Sequence, residues 1–236
     1  MKKIKINYIF VTNCLLVGLF AIVLSISLLP EASVPIYGGN QIKPIYNGNR
    51  QQKQVSLMFN VYENSQVVNS IIDELNSRGL KATFFVGGCW ADDNIELLNK
   101  MVQCGHEVAN HGYFHKDHAK LNYQQNFEEI KLTGTIIKSL CGAQSTLFAP
   151  PSGSFNDNTL ISADKLGYKV IMWSKDTIDW RDKDLNKIYK RATNNVSNGD
   201  LVLMHPKQHT LQVLPKILDY YTSIGLKQVT VSQNIM

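Results

Sequence analysis

From residue 54 to the C-terminus, short apolar runs alternate with amphipathic stretches. The apolar runs are VSLMF (55–59), KATFFV (81–86), HEVAN (106–110), TLFAP (146–150), YKVIMWS (168–174), DLVLMH (200–205) and KQVTVS (227–232). Short runs of this kind, rich in β-branched and aromatic side chains, read as buried strands. Helical patterns lie between them. In 67–75, Val67, Val68, Ile71, Ile72 and Leu75 share one face, and similar segments cover 94–102, 122–140, 159–167, 184–197 and 211–221. Gly79, Gly105, Gly142, Gly167, Gly199 and Gly225 fall where a helix would stop before the next strand, a position that favours a left-handed residue. Seven strands separated by helices predict α/β architecture with a parallel sheet. A barrel is preferred over an open, doubly wound sheet, although both share this period. Asn60, His111, Pro151, Asp176 and His205 each follow a strand. In a barrel those positions converge on one mouth.

The N-terminus departs from this pattern. Ile9 to Leu29 form a 21-residue run without a charge, preceded by Lys2, Lys3 and Lys5 and followed by Pro30 and Glu31. A helix of that length spans a bilayer core of about 30 Å. The run is longer than a signal-peptide core, and the flanking lysines orient it with the N-terminus inside. Residues 1–30 are therefore expected to be a membrane anchor, with the remainder outside the cell membrane, or secreted if the leader is cleaved. Residues 31–53, which contain the echo PIYGGN and PIYNGN, read as a linker leading into an edge strand, and 54–236 as one domain. At 44% hydrophobic residues the chain is not disordered, and the net charge of +5 includes the three leader lysines, so nothing points to nucleic acid. Outside the leader, Cys89, Cys104 and Cys141 are odd in number, so no complete disulfide framework is possible.

Four ordered segments carry candidate chemistry. GHEVANHGYFH (105–115) holds His111 and His115, whose spacing on a helical turn brings two imidazoles to one side, near enough to share a divalent metal. FAPPSG (148–153) is a stiff turn after a strand, DTIDW (176–180) contains Asp179 and Trp180, and LVLMH (201–205) ends in His205. In this order the segments resemble the polysaccharide deacetylase family, the NodB-homology domain of carbohydrate esterase family 4, and within it a sporulation-associated bacterial branch. The resemblance runs from about Gln54 to Val231. It implies a deformed (β/α) barrel of about seven strands. It also implies a hydrolase acting on carbon–nitrogen bonds, which removes acetyl groups from N-acetylated sugars of a cell-wall polysaccharide, peptidoglycan or chitin-like. The implied cofactor is zinc, or another divalent ion such as cobalt, held by His111 and His115. His205 matches the general acid and Asp179 the group that orients it. Pro151, Ser152, Trp180 and Leu203 fall in the substrate-binding positions, although core packing accounts equally well for Trp173 and Trp180. A monomer is expected.

The first motif breaks the pattern. The family reads Thr-Phe-Asp-Asp-Gly, whose aspartates are the general base and a metal ligand; this chain reads Met58-Phe59-Asn60-Val61-Tyr62. The usual arginine of the proline-rich motif is Ala149. The losses are mutually consistent, because an arginine facing a neutral asparagine would be an unpaired, partly buried charge. Two readings follow. In the preferred one, an enzyme with weakened catalysis recruits Glu63 or Asp117 as base, and Asn60 completes the shell of a weakly bound metal. In the other, an inactive relative of the same fold binds glycan or serves as an envelope scaffold. Asp92 and Asp93 read as helix N-terminal charges, and His118 and His209 as solvated loop residues, with His118 a possible substitute ligand.

Overall fold

A computed structural model describes residues 8–27 and 42–236. The chain divides into two compact units at Gly39. In the first, helix α1 (Tyr8–Ser27) exposes apolar side chains such as Leu15, Val17 and Phe20. Among the described residues no helix is long and apolar enough to cross a membrane. The span expected over Ile9–Leu29 runs past the end of α1, and its last residues lie outside the described ones, as do 31–41 of the expected linker.

The second unit is built on one parallel sheet. Its strands are β1 (Gln54–Val61), β2 (Thr83–Val86), β3 (Glu107–Asn110), β4 (Leu147–Phe148), β5 (Lys169–Val170), β6 (Lys175–Asp176), β7 (Asp200–Met204) and β8 (Lys227–Gln228). They follow the order β5-β4-β3-β2-β1-β7-β6, with β8 beside the start of β1. The path begins and ends on different strands, so the sheet is a curled half-barrel rather than a closed ring. The helices are α2 (Ser65–Ser77), α3 (Gly88–Asp93), α4 (Ile95–Gln103), α5 (Tyr123–Cys141), α6 (Asp157–Lys165), α7 (Leu185–Thr193), α8 (Gln208–Ser223) and α9 (Val231–Asn234). Part of the expected linker joins the sheet: Ile45 bridges Ile171 in parallel and Asn47 bridges Asp200 in antiparallel fashion.

Strand parity decides which residues reach the site. Successive side chains on a strand face opposite ways. On β1, Val55, Leu57, Phe59 and Val61 belong to the large core under the helices, which also takes Ile71, Ile72, Ile217 and Tyr221. Met58 belongs to the inner cluster with Phe85, Ala109, Ala149, Leu201 and Leu203. Asn60, two residues beyond Met58, therefore stands on the inner face at the carboxyl end of the central strand. By the same count His111 follows Ala109 and His205 follows Leu203. Burying each large apolar side chain of the outer core contributes about 1.5–3 kcal/mol, which fixes the register that aims the inner residues.

The elements differ from expectation at three places. β6 is an extra strand, because the stretch from Lys175 to Asp176 pairs with Val202 and Leu203 despite its polar sequence. At the C-terminus the β-like run stops at Gln228; Thr230 then caps α9, its hydroxyl accepting from the Gln233 amide. Asp92 and Asp93 end α3 rather than begin a helix, and Asp92 accepts a hydrogen bond from the Tyr113 hydroxyl at 2.8 Å.

Candidate functional site

The carboxyl ends of β1, β3 and β7 open on a cavity of about 490 Å³, lined among others by Asn60, Tyr62, Glu63, His111, His115, Ser152, Trp173, Trp180, Leu203 and His205. His111 and His115 meet without a helix: residues 111–115 form a bend in which Gly112 and His115 adopt left-handed backbone, φ +73° and 53°. Their rings cross at 71° with centroids 5.3 Å apart. His111 donates from Nδ1 to the Ala149 carbonyl at 2.7 Å, which leaves Nε2 facing the cavity. Burial, aided by His115, pushes His111 down to about 3 despite that carbonyl, so the ring is neutral at any ordinary pH.

His205 and Asp179 form a tight pair. The fully buried Asp179 carboxylate accepts from His205 Nδ1 at 2.8 Å, from the His205 amide at 2.7 Å and from the Thr210 hydroxyl at 2.7 Å. Burial raises the carboxyl, but these three donors outweigh it and hold Asp179 below the usual carboxylate range. Asp179→Ala strands all three donors, and a stability loss of about 3–5 kcal/mol in urea unfolding is expected. A loss below about 1 kcal/mol would show that the pair is not the anchor of this loop.

The metal centre implied by the resemblance is not assembled. Val61, at the position of the family's carboxylate ligand, is fully buried on the helix-facing side. His111 and His115 supply two imidazoles without charge, Asn60 only a neutral amide, and among the described residues no three His, Cys, Asp or Glu side chains are grouped to hold an ion. That donor set does not compensate a divalent cation.

The candidate bases are also engaged. Glu63 reaches the cavity but is paired with Lys207. Asp117 lies away from it, accepting from the Ser154 hydroxyl and pairing with Lys120 at 3.0 Å. Ser152 lines the cavity, whereas Pro151 is buried against Gly112. Trp180 is half exposed at the cavity and Leu203 is buried in its wall. His118 is fully buried rather than solvated, its Nδ1 2.6 Å from Asn126 Oδ1, and His209 Nε2 lies 2.7 Å from the Asp179 carbonyl. All four cysteines are free.

Tyr62 is the participant that residue patterns missed. Its ring lies 4.9 Å from that of His115, and it replaces the glycine of the family motif. It fits only because residue 87 is also glycine: a Cβ there would stand 2.3 Å from the Tyr62 ring. The signal was the departure at position 62 itself, which shows as a missing glycine but not as an aromatic wall.

A model of the family described as polysaccharide deacetylase matches residues 47–171. The chain is 32% identical over 193 residues to the Bacillus subtilis protein YlxY, covering 82% of this chain and 60% of that one. It is 32% identical over 183 residues to the Bacillus subtilis peptidoglycan-N-acetylmuramic acid deacetylase PdaC, covering 77% and 38% of the two chains. It therefore spans less than two thirds of the length of these relatives. A solved CE4 family pseudoenzyme from Bacillus anthracis superposes with a TM-score of 0.80 at 30% identity, over 84% of this chain and 70% of that one. A mutant of that pseudoenzyme is described as having restored enzymatic activity.

Proposed function

Because the chain belongs to the polysaccharide deacetylase family, we propose that it is a glycan-binding member of that family, which holds an N-acetylated envelope polysaccharide in the cavity without cleaving it. The observation that carries this reading is what stands at the motif positions: Asn60 on the inner face for the base, Val61 on the helix-facing side for a ligand and Ala149 for the arginine, while Glu63, a carboxylate that lines the cavity, is paired with Lys207. What remains is suited to holding a sugar. Tyr62, Trp173 and Trp180 supply aromatic surface to the cavity lining, and His111, His205 and Asn60 supply polar groups to it. The pseudoenzyme likeness supports the absence of cleavage, since that protein bears the same fold and is named a pseudoenzyme of its family. The intact His205–Asp179 pair favours a second reading, a slow metal-assisted deacetylase as the family's chemistry implies.

The N-terminal apolar run suits a bacterial membrane anchor that presents the domain to the cell wall, with the protein acting as a monomer. The test is co-sedimentation of the full chain with insoluble peptidoglycan. Trp180→Ala is expected to weaken binding about five- to tenfold. No sedimentation of a folded wild type, or no effect of the tryptophan, would contradict a glycan site in this cavity.

A further inference from the structure

The end of the sheet opposite the cavity carries a surplus of positive charge. Lys53 leads into β1, Lys169 opens β5, Lys227 opens β8, and Lys138 lies in the last turn of α5, which returns to the start of β4. All four are exposed, as is Lys43, which stands beside the start of β5 because Ile45, two residues on, pairs in parallel with Ile171. No ion pair among the described residues holds any of the five. The side-chain carboxylates at this end are engaged. Asp200 is buried and paired with Arg50, Glu107 accepts from the Thr83 hydroxyl at 2.6 Å, Asp219 is paired with Arg78, and Asp164 is offset by its neighbour Lys165. A helix dipole favours a cation at Lys138, but a sheet has almost no net dipole and asks for none at Lys53, Lys169 or Lys227. We propose that this face docks on an anionic lipid surface and so turns the cavity away from the bilayer; this rests on the reading of the N-terminal apolar run as a membrane anchor.

Charge and chain path meet at that face. Clustered lysines are drawn to anionic headgroups over about a Debye length, ~10 Å at 0.1 M salt. The chain also enters there. The Ile45 amide donates to the Val170 carbonyl at 2.8 Å and the Gly48 amide to the Gly199 carbonyl at 2.7 Å, so this segment crosses the amino ends of β5 and β7 before β1 begins. Residues 28–41, the link from the apolar run, join the second unit at this end, and a chain of that length reaches about 50 Å at most. A short tether fixed at one end of a folded unit favours that end as the one that meets the membrane. The cavity end lacks the same surplus: Glu96, Asp157 and Asp184 are exposed at or beside the starts of α4, α6 and α7, among Lys120 and Lys183. Seated on its lysine face, the protein presents the cavity to polymer beyond the membrane instead of to lipid.

The test floats the full chain with vesicles of phosphatidylcholine alone or mixed equally with phosphatidylglycerol, acetylates accessible amines with an uncharged reagent, and reads each lysine by mass spectrometry. A further sample holds soluble polyphosphate without vesicles. In about 0.05 M salt, labelling of Lys53, Lys169 and Lys227 is expected to be at least about threefold lower on the anionic vesicles than on the neutral ones, and to recover in about 0.5 M salt. Lys120 and Lys183 are expected to label equally on both. Lys53→Glu with Lys227→Glu is expected to abolish the protection of Lys169 and leave flotation intact. Equal labelling of the lysine face on both vesicles, protection that extends to Lys120 and Lys183, or protection of Lys169 that the double variant keeps would overturn the docking face and leave the anchor reading standing. Protection by polyphosphate but not by anionic vesicles would overturn the lipid in favour of a phosphate polymer. Flotation with anionic vesicles only, with the same protection, would overturn the anchor and retain the face; flotation with neither would overturn both.

Discussion

Restoring two carboxylates and an arginine together, as Asn60→Asp, Val61→Asp and Ala149→Arg, is expected to raise Zn²⁺-dependent acetate release at least about a hundredfold over the parent chain. Each change answers a specific deficit. Asn60→Asp supplies a base on the inner face, where a neutral amide now stands. Ala149→Arg places a guanidinium in the inner cluster and gives that new carboxylate a counter-charge. Val61→Asp is the costly change, because Val61 is fully buried on the helix-facing side, where an unpaired carboxylate costs several kcal/mol. Val61→Asp alone is therefore expected to destabilise the fold. Val61 closes β1, so a carboxylate introduced there reaches Zn²⁺ at His111 and His115 only if the backbone turns it toward the cavity; Zn²⁺ should then recover part of that loss in the triple variant as an upward shift in Tm, a readout independent of turnover. A triple variant that binds Zn²⁺ and releases no acetate would show that the deficit extends beyond these three positions.

Unfolding free energy is expected to fall by about 4 kcal/mol between pH 8 and pH 5, through two buried histidines. Burial, with Lys81 nearby, pushes His106 down to about 4, and burial with His115 pushes His111 down to about 3, from an ordinary value of 6.5. In both cases the folded value lies below the unfolded one. Their stabilisation is therefore fully present above pH 6.5 and is lost as pH falls toward 4 and then 3. At pH 5 each imidazole is protonated in the unfolded chain and neutral in the fold, which costs about 2 kcal/mol apiece. His115 and His118, also lowered chiefly by burial, act in the same direction. Urea unfolding at the two pH values checks this, and His106→Gln is expected to remove about half of the difference. A stability that is flat over this range would mean that the rings are hydrated or charged in the folded protein.

The residue pattern made the parallel sheet and its helices legible because β1, β2 and β7 are apolar runs buried almost throughout and followed or preceded by clear helical patterns. It failed where chemistry is local. Polar β6 is a strand only because β7 lies beside it, and Thr230 starts a helix within a β-like run through a cap that periodicity does not register. The site was legible as an ordered set of motifs and as a set of gaps in them. His111, His205, Ser152, Trp180 and Leu203 all reach one cavity. What fills the gaps depends on pairing across the cavity, which spacing alone does not contain. Glu63 stands three residues from Asn60, yet Lys207, far along the chain, decides that it is occupied. Likewise the histidine pair meets through a left-handed bend rather than a helical turn, and Tyr62 takes space that Gly87 leaves free.

In the proposed function the cavity binds N-acetylated glycan and leaves it intact. The most direct test follows one sample of the full chain with an N-acetylglucosamine tetramer and Zn²⁺, recording bound ligand by saturation-transfer NMR and released acetate in the same tube. PdaC on peptidoglycan serves as the active control. Saturation transfer that Trp180→Ala weakens is expected, with acetate at the level of the protein-free blank. Acetate that accumulates with time, requires Zn²⁺ and disappears in His111→Ala would contradict the claim and make this chain a working deacetylase.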